Sequence, residues 1–179
     1  MKMNLTTLFT MVSLASALVL NANEIPQPKP GSTEFERLKS LVGTWKGTTD
    51  MGQGPIEMTV QYRLLAGGSV LEERVFQGTP MEMITMYYDK DGKLALTHYC
   101  VMGNRPGMVL KSSDAKTLTF EFDKSCGIDP LTESVMNGMT LRFDNTDTIT
   151  ATCRAVIKGE AQKEHPTTLK RVKALAQAE

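Results

Sequence analysis

The sequence predicts an all-β fold: an antiparallel up-and-down β-barrel of about ten strands, preceded by one short N-terminal helix. Three observations lead there. Apolar and polar residues alternate with period two through most of the chain after residue 55, the pattern of strands wet on one face and apolar on the other. Turn signals fall at short spacing between these runs, at Ala66-Gly67-Gly68, Gly78-Thr79-Pro80, Asp91-Gly92, Arg105-Pro106-Gly107 and Asn145-Thr146-Asp147. Sequential hairpins without long return connections favour closure into a barrel over a sandwich, because closure also removes exposed sheet edges.

Composition bounds the function classes. At 179 residues the chain fits one domain with an extension. Twenty Lys and Arg balance twenty Asp and Glu, which removes the electrostatic case for nucleic acid or an anionic membrane as partner. An aromatic content of 6% argues against a base-stacking platform, and 41% hydrophobic residues argue against wholesale disorder. The unusual count is twelve methionines.

The elements follow in order. Lys2 precedes a charge-free apolar stretch from Leu5 to Leu20, which reads as a secretory signal covering residues 1–22. Cleavage after Ala22 removes the whole apolar run, whereas the Ala15-Ser16-Ala17 site would leave Leu18-Val19-Leu20 behind. The expectation is a periplasmic or secreted protein, monomer or homodimer, with no stable membrane insertion after cleavage. Residues 23–32 form a linker that Pro26, Pro28 and Pro30 hold extended, 33–173 form the barrel, and 174–179 form a flexible tail. Ser32 to Leu41 has a capping residue, early acids and apolar residues at helical spacing.

Beyond the helix, Ile56, Met58, Val60, Tyr62 and Leu64 share one face of a strand. Leu118, Phe120 and Phe122 share another, as do Met139, Leu141 and Phe143, and Ile149, Ala151, Cys153, Ala155 and Ile157. Three cysteines, Cys100, Cys126 and Cys153, leave at least one thiol unpaired and permit one disulfide of undetermined pairing. With no C-x-x-C present, redox and structural-zinc readings are weak.

Two sets of residues carry a resemblance. The helix leading into Leu41-Val42-Gly43-Thr44-Trp45 resembles the opening of the calycin superfamily, the lipocalins and fatty-acid-binding proteins. That resemblance implies that Trp45 closes one barrel end and that Arg171, in the last strand, stacks on it. Further on, Glu73-Arg74-Val75-Phe76-Gln77-Gly78-Thr79-Pro80-Met81-Glu82-Met83, Thr97-His98-Tyr99-Cys100 and Gly103-Asn104-Arg105-Pro106 resemble an uncharacterised bacterial barrel family, a domain of unknown function allied by shape to nitrobindin-like haem-binding barrels. The likeness spans roughly Phe35 to Val172. Members often carry histidines before the strand expected to begin at Met139, where this chain has Glu133-Ser134-Val135-Met136. Haem is therefore an alternative cofactor reading that this departure weakens; no cofactor is the first expectation.

The interior chemistry turns on two hairpins. Glu73 lies between Leu71 and Val75 on one face, Glu82 shares a face with Ile84 and Met86, and His98 shares one with Leu94, Leu96, Cys100 and Met102. A two-residue turn at Gly78-Thr79 and a three-residue turn at Lys90-Asp91-Gly92 would gather Glu73, Glu82 and His98 on an apolar inner wall. A two-residue Asp91-Gly92 turn would instead separate His98 from Glu82. Such a cluster orients the polar end of a ligand, holds a metal, makes His98 a general base tuned by Glu82, or serves as a purely structural ion pair. The leading expectation is a barrel that binds a small, largely apolar molecule. Met58, Tyr62, Met86 and Met102 would line the site, with Cys100 in the wall and Asn104 and Arg105 at the mouth. Met108 and Met139 are assigned inward as well, while His165 reads as a solvated residue at a strand start.

Overall fold

The computed structural model describes residues 28–173 other than 51 and 53. The expected signal segment, the first half of the expected linker and the tail lie outside the described residues. Helix α1 (Thr33–Lys39) is followed by eleven strands: β1 (Gly43–Asp50), β2 (Pro55–Leu65), β3 (Val70–Val75), β4 (Met83–Lys90), β5 (Lys93–Tyr99), β6 (Gly107–Ser113), β7 (Thr117–Phe122), β8 (Ser134–Asn145), β9 (Thr148–Ile157), β10 (Glu160–Ala161) and β11 (His165–Arg171). Neighbours from β1 to β9 pair in sequence order, and β9 pairs β11, which pairs β1. Every one of these pairings is antiparallel. Ten strands thus close into a barrel, and the two-residue β10 is a small addition on β9. No helix among the described residues is long and apolar enough to cross a membrane.

The helix forms where the sequence places it. The Ser32 hydroxyl caps it by accepting from the Phe35 N–H, and Ser32 is itself tied to Asp89 at the end of β4. Phe35 and Leu38 are buried, so the apolar side of α1 plugs one end of the barrel. Beneath it Trp45 is fully buried and its indole N–H donates to the Leu41 carbonyl at 2.8 Å. The Arg171 guanidinium lies 4.3 Å over the Trp45 ring and donates to the Ser40 and Val42 carbonyls, so it ties β11 to the turn after the helix. Gly47 is required at this seam, because a Cβ there would sit 2.2 Å from the Thr168 carbonyl oxygen.

The alternating faces are observed with trimmed ends. Val60, Tyr62, Leu71, Leu94, Leu96, Met108, Leu118, Phe120, Met139, Leu141, Ile149 and Leu169 fill the core, whereas Ile56, Leu64 and Ile157 are exposed where their strands run past it. All three cysteines are free. Two turns differ from expectation. The β3–β4 connection is a seven-residue loop, with Val75 opposite Met83, held by its own bonds from Thr79 N–H to Phe76 and from Glu82 N–H to Thr79. The β4–β5 connection is the two-residue Asp91-Gly92 turn, with Lys90 opposite Lys93 and both central residues at positive φ (53° and 77°). That is the hairpin turn whose twist matches the strands it joins. The strand expected from Met139 begins earlier, at Ser134.

Candidate functional site

The two turns decide which side chains meet inside. Cross-strand partners share a face, and the registers pair Tyr62 with Glu73, Glu73 with Thr85 and Thr85 with His98. These four residues form a row across β2, β3, β4 and β5 on the inner wall. Tyr62 donates its hydroxyl to Glu73 Oε2 at 2.9 Å. Tyr87, on the same face of β4, donates to that same oxygen at 2.6 Å and approaches Met139 Sδ at 3.5 Å. Thr85 Oγ1 and His98 Nδ1 share a hydrogen bond of 3.0 Å.

Electrostatics follow from this burial. Desolvation raises the Glu73 carboxyl above its ordinary value, against the lowering effect of the Tyr87 and Tyr62 hydrogen bonds. The two phenols rise well above 10, through desolvation first and the nearby Glu73 charge second. Burial lowers His98 to about 4, so the imidazole is neutral at physiological pH. Among the described residues Glu73 has no ion-pair partner.

The barrel end opposite Trp45 is open. A cavity of about 570 Å³ there is lined by Cys153, Ala155, Ile157 and His165, with Met102 and Asp50 at its edge. Cys153 pairs with His165 across β9 and β11. Its thiol keeps accessible surface on the cavity although protein encloses it, and burial together with the Glu73 charge pushes it up to about 12. Cys153 is therefore a neutral thiol on the cavity wall, whereas Glu73 is not among the residues that line the cavity. Met58, opposite Gly47, packs half-buried against the core.

Several expected site residues stand elsewhere. Glu82 is not in the interior: it is in the β3–β4 loop, paired to Arg74 on the outer side and accepting from the Gly78 N–H. Met86 also faces outward, opposite Glu72 and Thr97, since Thr85 and Tyr87 take the inner face. The physical cause in both cases is register, because a one-residue difference in a turn moves every later side chain to the other face. The pairing of Glu82 with His98 as base and partner is thereby corrected. Met102 is 56% exposed in the turn after β5, at the cavity rim rather than on an inner wall. Cys100 lies in that same turn, half-buried, with its N–H bonded to the Asn104 carbonyl. Asn104 donates to the Ser134 carbonyl while its buried Oδ1 has no partner among the described residues, and Arg105 is exposed. His165, read as solvated, is half-buried at the cavity. Thr85, Tyr87 and Cys153 were absent from the expected site; Thr85 and Tyr87 become visible once Asp91-Gly92 is taken as a two-residue turn.

A histidine-held haem needs an imidazole facing an open slot. His98 is 7% exposed, bonded through Nδ1, and set among fully buried core side chains, while Glu133 to Met136 supply no imidazole. His98 therefore does not fit as a haem ligand inside the barrel, whereas His165, the other imidazole of the chain, lies half-buried at the cavity. Among the described residues no three His, Cys, Asp or Glu side chains converge as a metal-ligand set.

Sealed end, open end and ten-strand closure define a calycin-like barrel. Two solved structures resemble it. One is Rv2717c from M. tuberculosis (TM-score 0.56, 15% identity, 80% of this chain and 100% of that one). The other is a protein of unknown function from the DUF3598 family of Nostoc punctiforme PCC 73102 (TM-score 0.54, 15% identity, 75% of this chain and 49% of that one). This chain thus spans about half of the Nostoc protein, and at such identity the likeness is one of fold. No protein-family model matches the sequence, and no curated protein matches it.

Proposed function

We propose that this is an exported protein whose barrel binds a small, largely apolar molecule, admitted through the open end and oriented by Glu73. The observation that carries the reading is Glu73 itself. A half-buried carboxyl is set on an apolar inner wall, receives two tyrosine hydroxyls and lacks a cationic partner among the described residues. Burying such a group without an ion pair is costly, so a bound polar group that completes its hydrogen bonding supplies a reason for its position. Soft side chains, Met58 inside and Met102 at the rim, suit an adaptable apolar wall. The charge-free run from Leu5 to Leu20 after Lys2 supports export.

Native mass spectrometry of protein purified from the periplasm tests this reading, with solvent extraction to identify any bound molecule. The expected result is a mature chain lacking the first 22 residues, carrying an extractable apolar compound that Glu73→Ala loses. A full-length chain in the cytoplasm removes export. A bare protein that takes up no apolar probe removes ligand binding.

A further inference from the structure

The interior carries one sign of charge. Glu73 is the acid in the inner row, and the arginines of the wall are turned away from it. Arg63 and Arg74 bind Glu72 on the outer face, Arg154 reaches the Phe120 carbonyl and the Thr140 hydroxyl, and Arg171 is held over Trp45 at the sealed end. Lys163, at the cavity rim, is exposed to water. Tyr62 and Tyr87 both donate to Oε2 of Glu73, so Oε1 has no hydrogen-bond partner among the described residues, and the side chain is half-buried rather than sealed. An ionised carboxylate accepts and cannot donate, and each phenol has already committed its only proton. What this site lacks is a donor, and the strongest donor to a carboxylate in a low-dielectric interior is a cation.

We propose that the ligand is a lipophilic amine, an apolar body carrying a protonated primary or secondary amine, whose N–H donates to Glu73 Oε1. This rests on the ligand-binding reading above and narrows it. A fatty acid would bring a second anion beside Glu73, where no guanidinium or ammonium among the described residues pairs with the carboxyl; Lys163 stands at the rim and Arg154 is bonded to Thr140 and Phe120. An alcohol would satisfy Oε1 without the charge. The formal charge is zero over the whole chain and changes only by the loss of Lys2 when residues 1–22 are removed, so the overall field favours neither sign strongly and any preference is local to the site.

The test is competition at pH 7.5 between three ligands with the same twelve-carbon tail: dodecylamine, dodecanol and dodecanoate. Each displaces diphenylhexatriene, an uncharged hydrocarbon whose fluorescence reports entry into the barrel. The amine should displace it at a concentration at least tenfold below dodecanoate, with dodecanol between them, and Glu73→Gln should collapse the tenfold gap. The unmodified protein gives an independent reading, since the amine-to-dodecanol ratio should fall as acid protonates Glu73. Equal displacement by all three, tighter binding of dodecanoate, or a gap that survives both Glu73→Gln and acid overturns the amine assignment while leaving ligand binding intact. If diphenylhexatriene and all three ligands fail to bind, the binding reading fails as well.

Discussion

Glu72 and Glu73 are neighbours in the chain and live in opposite worlds. Glu72 points out of the barrel, yet only 3% of it is exposed, because Arg63 and Arg74 close over it at 2.8 and 3.1 Å. Burial alone would raise its carboxyl, but hydrogen bonds from Arg74 and Arg63 outweigh that and hold it below the ordinary value. Glu73 points inward, meets two neutral phenols instead of two guanidinium groups, and ends above the ordinary value. Burial is common to both. What separates them is the charge of the partners, and period-two alternation assigns those partners. The outer glutamate belongs to a satisfied ion network that strengthens the wall. The inner one is left with Oε1 accepting from no residue among those described.

Four experiments sharpen or break this contrast. The largest effect concerns His98, which shares the inner row with Glu73 and its cause of perturbation. Its pKa is about 4 in the folded chain against 6.5 unfolded, so its contribution is full above pH 6.5 and is lost as pH falls toward 4. That loss amounts to about 3 kcal/mol. Denaturant titrations at several pH values should show the slope, and His98→Gln should flatten it; an unchanged slope would place the imidazole in contact with water. Next, Glu72→Gln leaves Arg63 without its anion and Arg74 with Glu82 alone, and should cost about 2 kcal/mol, read as a lower denaturation midpoint at unchanged m. Tyr87→Phe removes one of two donors to Glu73 and should cost about 1 kcal/mol at pH 8, with Glu73 pushed further up. No change in stability would mean that this hydroxyl does not bond to the ionised carboxyl.

Glu73→Gln should have the smallest effect and the opposite sign. The folded pKa of Glu73 is raised, so the native state holds the proton more tightly than the unfolded chain. Stability therefore falls as pH climbs from 4.5 through the raised value. The variant should melt above the parent at pH 8, and the gap should narrow at pH 4. A variant that melts below the parent at pH 8 would mean that Glu73 serves stability, as Glu72 does, and would end the distinction drawn between them.

Much of the fold was legible in the sequence because it depends on local patterns. Ser32 marks the helix start, Leu118 and Phe120 alternate with Thr119 and Glu121, and turn residues separate the strands. The inward side of Glu73 follows from Leu71 on the same strand. The composition of the polar cluster was not legible to the same degree, since it depends on two turn lengths. Reading Lys90-Asp91-Gly92 as three residues put Glu82 beside His98, whereas the two-residue Asp91-Gly92 turn, itself a recognisable hairpin signal, puts Thr85 there. Cys153 and His165 could not be joined to the site from sequence, because they reach it only when β9 and β11 close the barrel.

By itself the sequence determined the class of the protein, an antiparallel barrel with one helix and an inward-facing glutamate, since alternation and capping act within a few residues. The tertiary structure alone decided which end is open, which oxygen of Glu73 the tyrosines leave unbonded, and that no cationic side chain among the described residues pairs with it. Those facts depend on register and closure, where one residue of slip exchanges the inside for the outside.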